Sequence, residues 1–159
     1  MDREELKQFL PHREPMLLVD EIDIDNDGVA HARYRIREDE FFCRGHFPGN
    51  PLVPGVIQCE IMAQSCAMLV KDEIVGKTTL YSGIDNVRFK HTVVPGDLCE
   101  VTATLKGKRA NMFFCEAVLK VGDNPVKVFS NYMVDMSQFV SFDPKQYGVK
   151  EKVRFSVLK

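Results

Sequence analysis

Between Gly55 and Val70 the only formally charged side chain is Glu60. A helix that is apolar nearly all round has no face for water, so the rest of the chain must enclose it. Pro54 suits the first helical position, where its missing N–H costs nothing. Lys71, Asp72 and Glu73 return the chain to solvent, and Gly76 is a plausible C-terminal stop. Whatever this chain folds into, it is built around that helix.

The flanking segments supply the enclosure. Residues 2–10 read as a short helix with Leu6, Phe9 and Leu10 on one side, ended by Pro11 and Pro15. Met16–Ile24 reads as a strand. Asp25-Asn26-Asp27-Gly28 is a turn, because these residues tolerate left-handed conformations. Val29–Ile36 alternates Ala30, Ala32, Tyr34 and Ile36 with Arg33 and Arg35, the period of a half-buried strand. Thr78–Phe89, Leu98–Lys106, Met112–Val121 and Val126–Val134 read as further strands. Pro95-Gly96-Asp97, Gly107-Lys108-Arg109 and Gly122-Asp123-Asn124-Pro125 separate them. One buried helix among about six strands points to an α+β chain, an antiparallel sheet wrapped around a long central helix. With 159 residues a single domain over 1–159 is expected, with 137–159 as an extension that the pattern does not place.

Bulk properties narrow the function. Apolar residues make up 45% and charged residues 28%, as in an ordinary globular protein, and the formal net charge of −2 gives no global attraction to nucleic acid or anionic membrane. Five cysteines, Cys43, Cys59, Cys66, Cys99 and Cys115, show no Cys-x-x-Cys spacing. The start Met1-Asp2-Arg3-Glu4-Glu5 is too charged for a signal peptide, so reduced thiols and a cytoplasmic location are expected. His46 and the cysteines lack ligand spacing for a metal, and no apolar run reaches transmembrane length.

The chemistry concentrates where the helix begins. His46 sits between Gly45 and Phe47-Pro48-Gly49, a loop whose composition restricts the backbone and so positions an imidazole that can accept a proton near neutral pH. It could equally be a loop histidine packed for shape. Glu60 stands among Val56, Ile57, Ile61, Met62, Cys66 and Met68. Desolvation there raises a carboxyl pKa and the positive helix N-terminus lowers it, and a carboxyl held near neutrality can serve as a general acid. An exposed stripe or a buried ion pair is the other reading. Gln64, four residues on, shares the face of Glu60 and could orient it. The N–H groups of Gly55 and Val56 have no partner within the helix and could polarise a carbonyl oxygen. Phe47, Val56 and Cys59 are candidate walls of an apolar pocket beside this site, or simply core. His12, His31 and His91 read as structural or surface residues. Glu60 lies about 8 Å along the axis from the helix start, at about 1.5 Å per residue. A His/Glu pair acting on neighbouring carbons could therefore come from two chains across a dimer axis.

These residues resemble the signature of the FabZ-type β-hydroxyacyl-acyl-carrier-protein dehydratases. Pro11-His12-Arg13-Glu14-Pro15-Met16-Leu17-Leu18-Val19-Asp20 is similar to that family's N-terminal pattern, Gly45 to Gln64 to its loop and helix, and Val87-Arg88-Phe89-Lys90 with Val93-Val94-Pro95-Gly96-Asp97 to its later strand and turn. The resemblance implies a hotdog fold and at least a dimer, often a trimer of dimers. It implies His46 as the base and Glu60 as the acid, drawn from opposite subunits, with Gly55 holding the thioester carbonyl and Gln64 supporting the acid. The implied substrate is a (3R)-hydroxyacyl thioester on the phosphopantetheine arm of acyl carrier protein, and the product a trans-2-enoyl thioester. No metal or redox cofactor is implied. An acidic carrier calls for a local basic patch, for which Arg88 and Lys90 are the first candidates, then Lys106, Lys108 and Arg109. Glu60 stands where the related FabA-type dehydratase/isomerase usually carries Asp, which favours dehydration alone. His91-Thr92 departs from the family's basic residue followed by proline.

Two other readings share the fold class. A hotdog acyl thioesterase commonly uses a helix carboxylate without the His-Phe-Pro loop, so His46 argues against it. A non-catalytic acyl-binding subunit would be free to lose His46 and Glu60.

Overall fold

The computed structural model describes residues 1–135, and the expected extension 137–159 lies outside them. Its element order is α1 (Arg3–Leu6), β1 (Glu21–Ile24), β2 (Ala30–Arg35), α2 (Gly55–Ala67), a 3₁₀ turn (Met68–Val70), α3 (Lys71–Ile74), β3 (Thr79–Ile84), β4 (Val87–Arg88), β5 (Leu98–Arg109), β6 (Met112–Val121) and β7 (Asn124–Asp135). The strands form one sheet in the order β1-β2-β5-β6-β7-β3, with β4 also pairing β7, and every pairing is antiparallel.

Helix α2 packs against β2, β5, β6 and β7. Cys59, Ile61, Met62, Ala63, Gln64, Ser65, Cys66 and Ala67 are all buried, as a helix apolar on every side requires. The sheet answers with alternation: in β2 Ala30, Ala32 and Tyr34 face in while His31, Arg33 and Arg35 face out. Val101, Ala103, Cys115, Ala117 and Leu119 continue this inner surface across β5 and β6. This is a hotdog fold, the sheet wrapped around the helix. Met62 lies at the centre with no exposed surface, so Met62→Ala is expected to cost about 2–5 kcal/mol in chemical denaturation.

The structure corrects four expectations of local structure. Only Glu21–Ile24 of the expected strand Met16–Ile24 is in the sheet. Leu17, Leu18 and Val19 are fully buried, but their hydrogen bonds come from outside the sheet: Arg3 donates to the carbonyls of Leu17 and Val19, Gln64 accepts from the Leu18 N–H, and the Arg13 carbonyl accepts from the Leu17 N–H. The expected strand 78–89 is broken between β3 and β4, where Asn86 takes a left-handed conformation. Gly107-Lys108-Arg109 is not a turn, since β5 runs through it with a bulge beside Gly107 and reverses at Ala110–Asn111. Pro54 caps α2 rather than opening it, and the helix tightens to 3₁₀ at Met68 before resuming as α3.

The N-terminal segment is fastened to the same frame. Asp2 caps α1 in a reciprocal capping box with Glu5, and Leu6 and Leu10 enter the core. Asp20 receives Arg3 at 2.7 Å and Arg37 at 2.6 Å, while Arg37 also reaches the buried Glu40, which accepts from the Tyr34 hydroxyl at 2.6 Å. This chain of charges ties the N-terminus to the loop that leads to His46.

Candidate active site

His46 is half-buried in the loop between β2 and α2. Its backbone carbonyl accepts from the Leu52 N–H at 2.7 Å, and its Nδ1 lies 3.1 Å from the Leu52 carbonyl. A carbonyl can only accept, so Nδ1 carries the hydrogen and the Nε2 lone pair is left free to take a proton. Phe47 stacks on the imidazole with ring centroids 4.2 Å apart, and the peptide between the two is cis. Asn50 donates to the Phe47 carbonyl at 2.9 Å across a turn in which Gly49 has a φ of 81°. The loop is closed at its far end by Val53 N–H donating to Val93.

Helix α2 starts beside this loop. The Pro54 carbonyl accepts from Ile57 and Gln58, while the Gly55 and Val56 N–H groups have no hydrogen-bond acceptor among the described residues. The Phe89 ring lies over Gly55: a Cβ placed there would be 2.8 Å from Cζ of Phe89. Val56 is 74% exposed at the head of an otherwise enclosed helix, and Phe47 and Phe89 are also exposed.

Glu60 projects from α2 into a cavity of about 160 Å³ shared with His12, Ala63, Gln64, Ala67, Thr79, Leu80 and Tyr81. Gln64 Nε2 donates to Glu60 Oε1 at 2.9 Å and to the Met16 carbonyl at 2.7 Å, while its Oε1 accepts from Leu18. His12 Nε2 lies 3.3 Å from the same Glu60 oxygen. Burial pushes the Glu60 carboxyl up, but the hydrogen bonds from His12 and Gln64 outweigh it and hold the pKa below the usual carboxylate value. The carboxyl is therefore not raised toward neutrality, as burial alone would have it, but sits in a partly buried pair with His12. That pair contributes stability above the ordinary carboxylate pKa, and the contribution is lost as pH falls through the lowered folded value.

His12, expected to be a structural or surface residue, thus lies against Glu60. The missed signal was available in the sequence: Pro11 and Pro15 bracket His12 much as Gly45 and Pro48 bracket His46. Tyr81 was also missed; its hydroxyl donates to the Cys59 carbonyl at 2.7 Å, and burial drives its pKa far up, so it stays neutral. Cys59 is core, its thiol pushed up to about 11 by burial.

His46 is not among the residues lining the Glu60 cavity. Arg88 and Lys90 are exposed and make no ion pair among the described residues, whereas Lys106 is taken by Glu116 and Lys108 by Glu73. All five cysteines are free thiols and buried. No group of three His, Cys, Asp or Glu side chains is placed to hold a metal among the described residues, and no described helix is long and apolar enough to cross a membrane.

Three kinds of comparison bear on the family and the fold. The ApeI-like family model, described as ApeI dehydratase, matches residues 22–123. The 3-hydroxyacyl-[acyl-carrier-protein] dehydratase FabZ of Pseudothermotoga lettingae is 40% identical over 121 residues, 76% of this chain and 86% of its own. The FabZ of Caldicellulosiruptor saccharolyticus is 48% identical over 101 residues, 62% of this chain and 72% of its own. In structure the chain is similar to the dehydratase heterocomplex ApeI:P from Xenorhabdus doucetiae, with TM-score 0.68 and 15% identity over 84% of this chain and 91% of that one. It is also similar to a thioesterase superfamily protein, with TM-score 0.51 and 14% identity over 73% and 55% of the two chains, so the fold alone does not choose the chemistry. The sequence matches do choose: the chain belongs to the family of FabZ-type 3-hydroxyacyl-[acyl-carrier-protein] dehydratases.

Proposed function

We propose that this chain, as one catalytic domain, dehydrates (3R)-hydroxyacyl-acyl-carrier-protein to the trans-2-enoyl thioester in fatty-acid elongation. The observation that carries the reading is the His46 ring: its Nδ1 is committed to the Leu52 carbonyl, which leaves Nε2 as a base. The thioester carbonyl accepts from the Gly55 N–H at the head of α2, which makes the C2 proton more acidic. His46 Nε2 removes that proton, the C2 electron pair becomes the C2–C3 double bond, and the C3 hydroxyl leaves as water with a proton delivered through Glu60. Gln64 fixes the Glu60 carboxyl during this step. The step is redox-neutral, so its electrons balance without a cofactor.

The active unit in this reading is at least a dimer, in which His46 of one protomer works with Glu60 of its partner. The absence of His46 from the Glu60 cavity supports this, as do the exposed Val56, Phe47, Leu80 and Phe89. Phe47 and Val56 then line the acyl site, and Arg88 and Lys90 meet the acidic carrier. The setting is the cytoplasm, where acyl carrier protein is the natural partner of such a site.

Incubation with a 3-hydroxyacyl-acyl-carrier-protein, followed by mass spectrometry of the carrier, should show loss of one water and its return when enoyl thioester is supplied. Release of free acid would make the chain a thioesterase; an unchanged, bound carrier would make it an acyl-binding subunit. Gly55→Ala tests the carbonyl site. The new Cβ must displace Phe89, which is exposed enough to move, so folding should survive while kcat/KM falls by about 10²-fold.

A further inference from the structure

The proposed reaction needs a proton at the C3 hydroxyl, and the Glu60 carboxyl that delivers it is held between His12 and Gln64. The nearest group able to carry that proton is the His12 imidazole. Its Nε2 lies 3.3 Å from Glu60 Oε1, and the two side chains line one cavity. The ring's other nitrogen, Nδ1, is buried without a hydrogen-bond partner, so the contact of His12 with the site runs through Nε2. Gln64 holds the same carboxylate oxygen from the other side.

The remaining groups around the pair are no rivals. From α2 come the Cys59 thiol, with its pKa raised by burial, and Cys66. From β3 comes the Tyr81 hydroxyl, bonded to the Cys59 carbonyl and kept neutral. Thr79, Leu80, Ala63 and Ala67 carry no ionisable group. Arg13, next to His12, is turned away onto the carbonyls of Lys7, Leu10 and His12.

We propose that His12 is a positioning residue which stores the proton that Glu60 delivers, the two forming a one-proton pair across Nε2 and Oε1. The proposal rests on the reading of Glu60 as the proton donor. Before the reaction the pair holds one proton between His12 Nε2 and Glu60 Oε1. As the C3–O bond breaks with its electron pair going to oxygen, the proton passes through Glu60 to the leaving hydroxyl and water forms. His46 now holds the C2 proton and His12 is neutral. The cycle closes when His46 releases its proton and His12 takes one from solvent, so no net charge or electron is consumed.

The test is a pH series of kcat and KM for the full chain and for His12→Gln, with thermal unfolding of both. In His12→Gln the amide can still hydrogen-bond Glu60 but cannot supply a proton. The expected result is a fall in kcat of about 10²-fold at neutral pH with KM little changed. The residual rate should climb as pH is lowered from about 8 to about 5, because Glu60 must now bind its own proton. A uniform loss at every pH, or no loss, would overturn the proposal. If His12→Gln does not fold, His12→Ala with added imidazole replaces it: rescue by imidazole and not by acetamide supports proton storage, and no rescue refutes it. Glu60→Gln run alongside separates the two readings. If it retains activity, the assignment of Glu60 fails; if it is dead while His12→Gln keeps the parental profile, only the role of His12 fails.

Discussion

His46→Ala is expected to lower kcat by about 10⁴-fold, and Glu60→Gln by a comparable factor, with both proteins still folded. The size follows from the role proposed for each side chain. The C2 proton beside a thioester is weakly acidic even when the carbonyl is held by the Gly55 N–H, so without an aligned base its removal falls to water. Hydroxide is an equally poor leaving group without a proton donor. The folding cost is small by comparison. His46 makes one side-chain hydrogen bond, to the Leu52 carbonyl, and losing it should cost about 1 kcal/mol. The loop remains closed by backbone bonds from Leu52 to His46 and from Val53 to Val93. Glu60→Gln keeps the shape of the side chain and a polar group for Gln64 and His12. Steady-state assays with thermal unfolding run in parallel check both parts, and an active double variant would sink the assignment.

The second large effect is a recovery. Neither variant alone should turn over, but co-expressed His46→Ala and Glu60→Gln chains should regain about a quarter of parental activity if each site is built from two subunits. Random pairing makes half the dimers mixed. In each mixed dimer one site carries both lesions and the other carries none. Were His46 and Glu60 of a single chain to work together, every site in the mixture would contain a lesion and activity would stay at background. Differently tagged chains, purified through both tags, would raise the recovery toward half, which excludes slow contamination by parental enzyme.

The fold was legible because its strongest signal is compositional. Gly55 to Val70 with one charge can only be an interior helix, and alternation through Ala30, Ala32 and Tyr34 can only be a sheet with one dry face. Met16–Val19 misled for a good reason: four apolar residues in a row look like a strand, but Arg3 and Gln64 supply their hydrogen bonds from far away in sequence. The β5 reversal was misplaced because Gly107 signals a turn and a bulge equally well. Candidate site residues on the loop and helix stood out because chemistry and backbone restriction coincide there. The lowered pKa of Glu60 did not, since it depends on a histidine brought to it by tertiary folding. Periodicity carries no information about that contact, and burial alone predicts the opposite sign of shift.

The Gln64 side chain has a consequence measurable without substrate. One amide group joins three partners, Leu18 N–H, the Met16 carbonyl and Glu60, and it is itself buried. The Leu18 amide belongs to no strand, yet its N–H donates to a side-chain oxygen inside the core, with N and O 2.8 Å apart. Its exchange with deuterium should therefore be as slow as that of a central sheet amide, although the segment is formally a loop. In Gln64→Ala that protection should vanish while the β5–β6 amides keep theirs. Leu18 thus acts as a built-in reporter of whether the Glu60 carboxylate is still held in place.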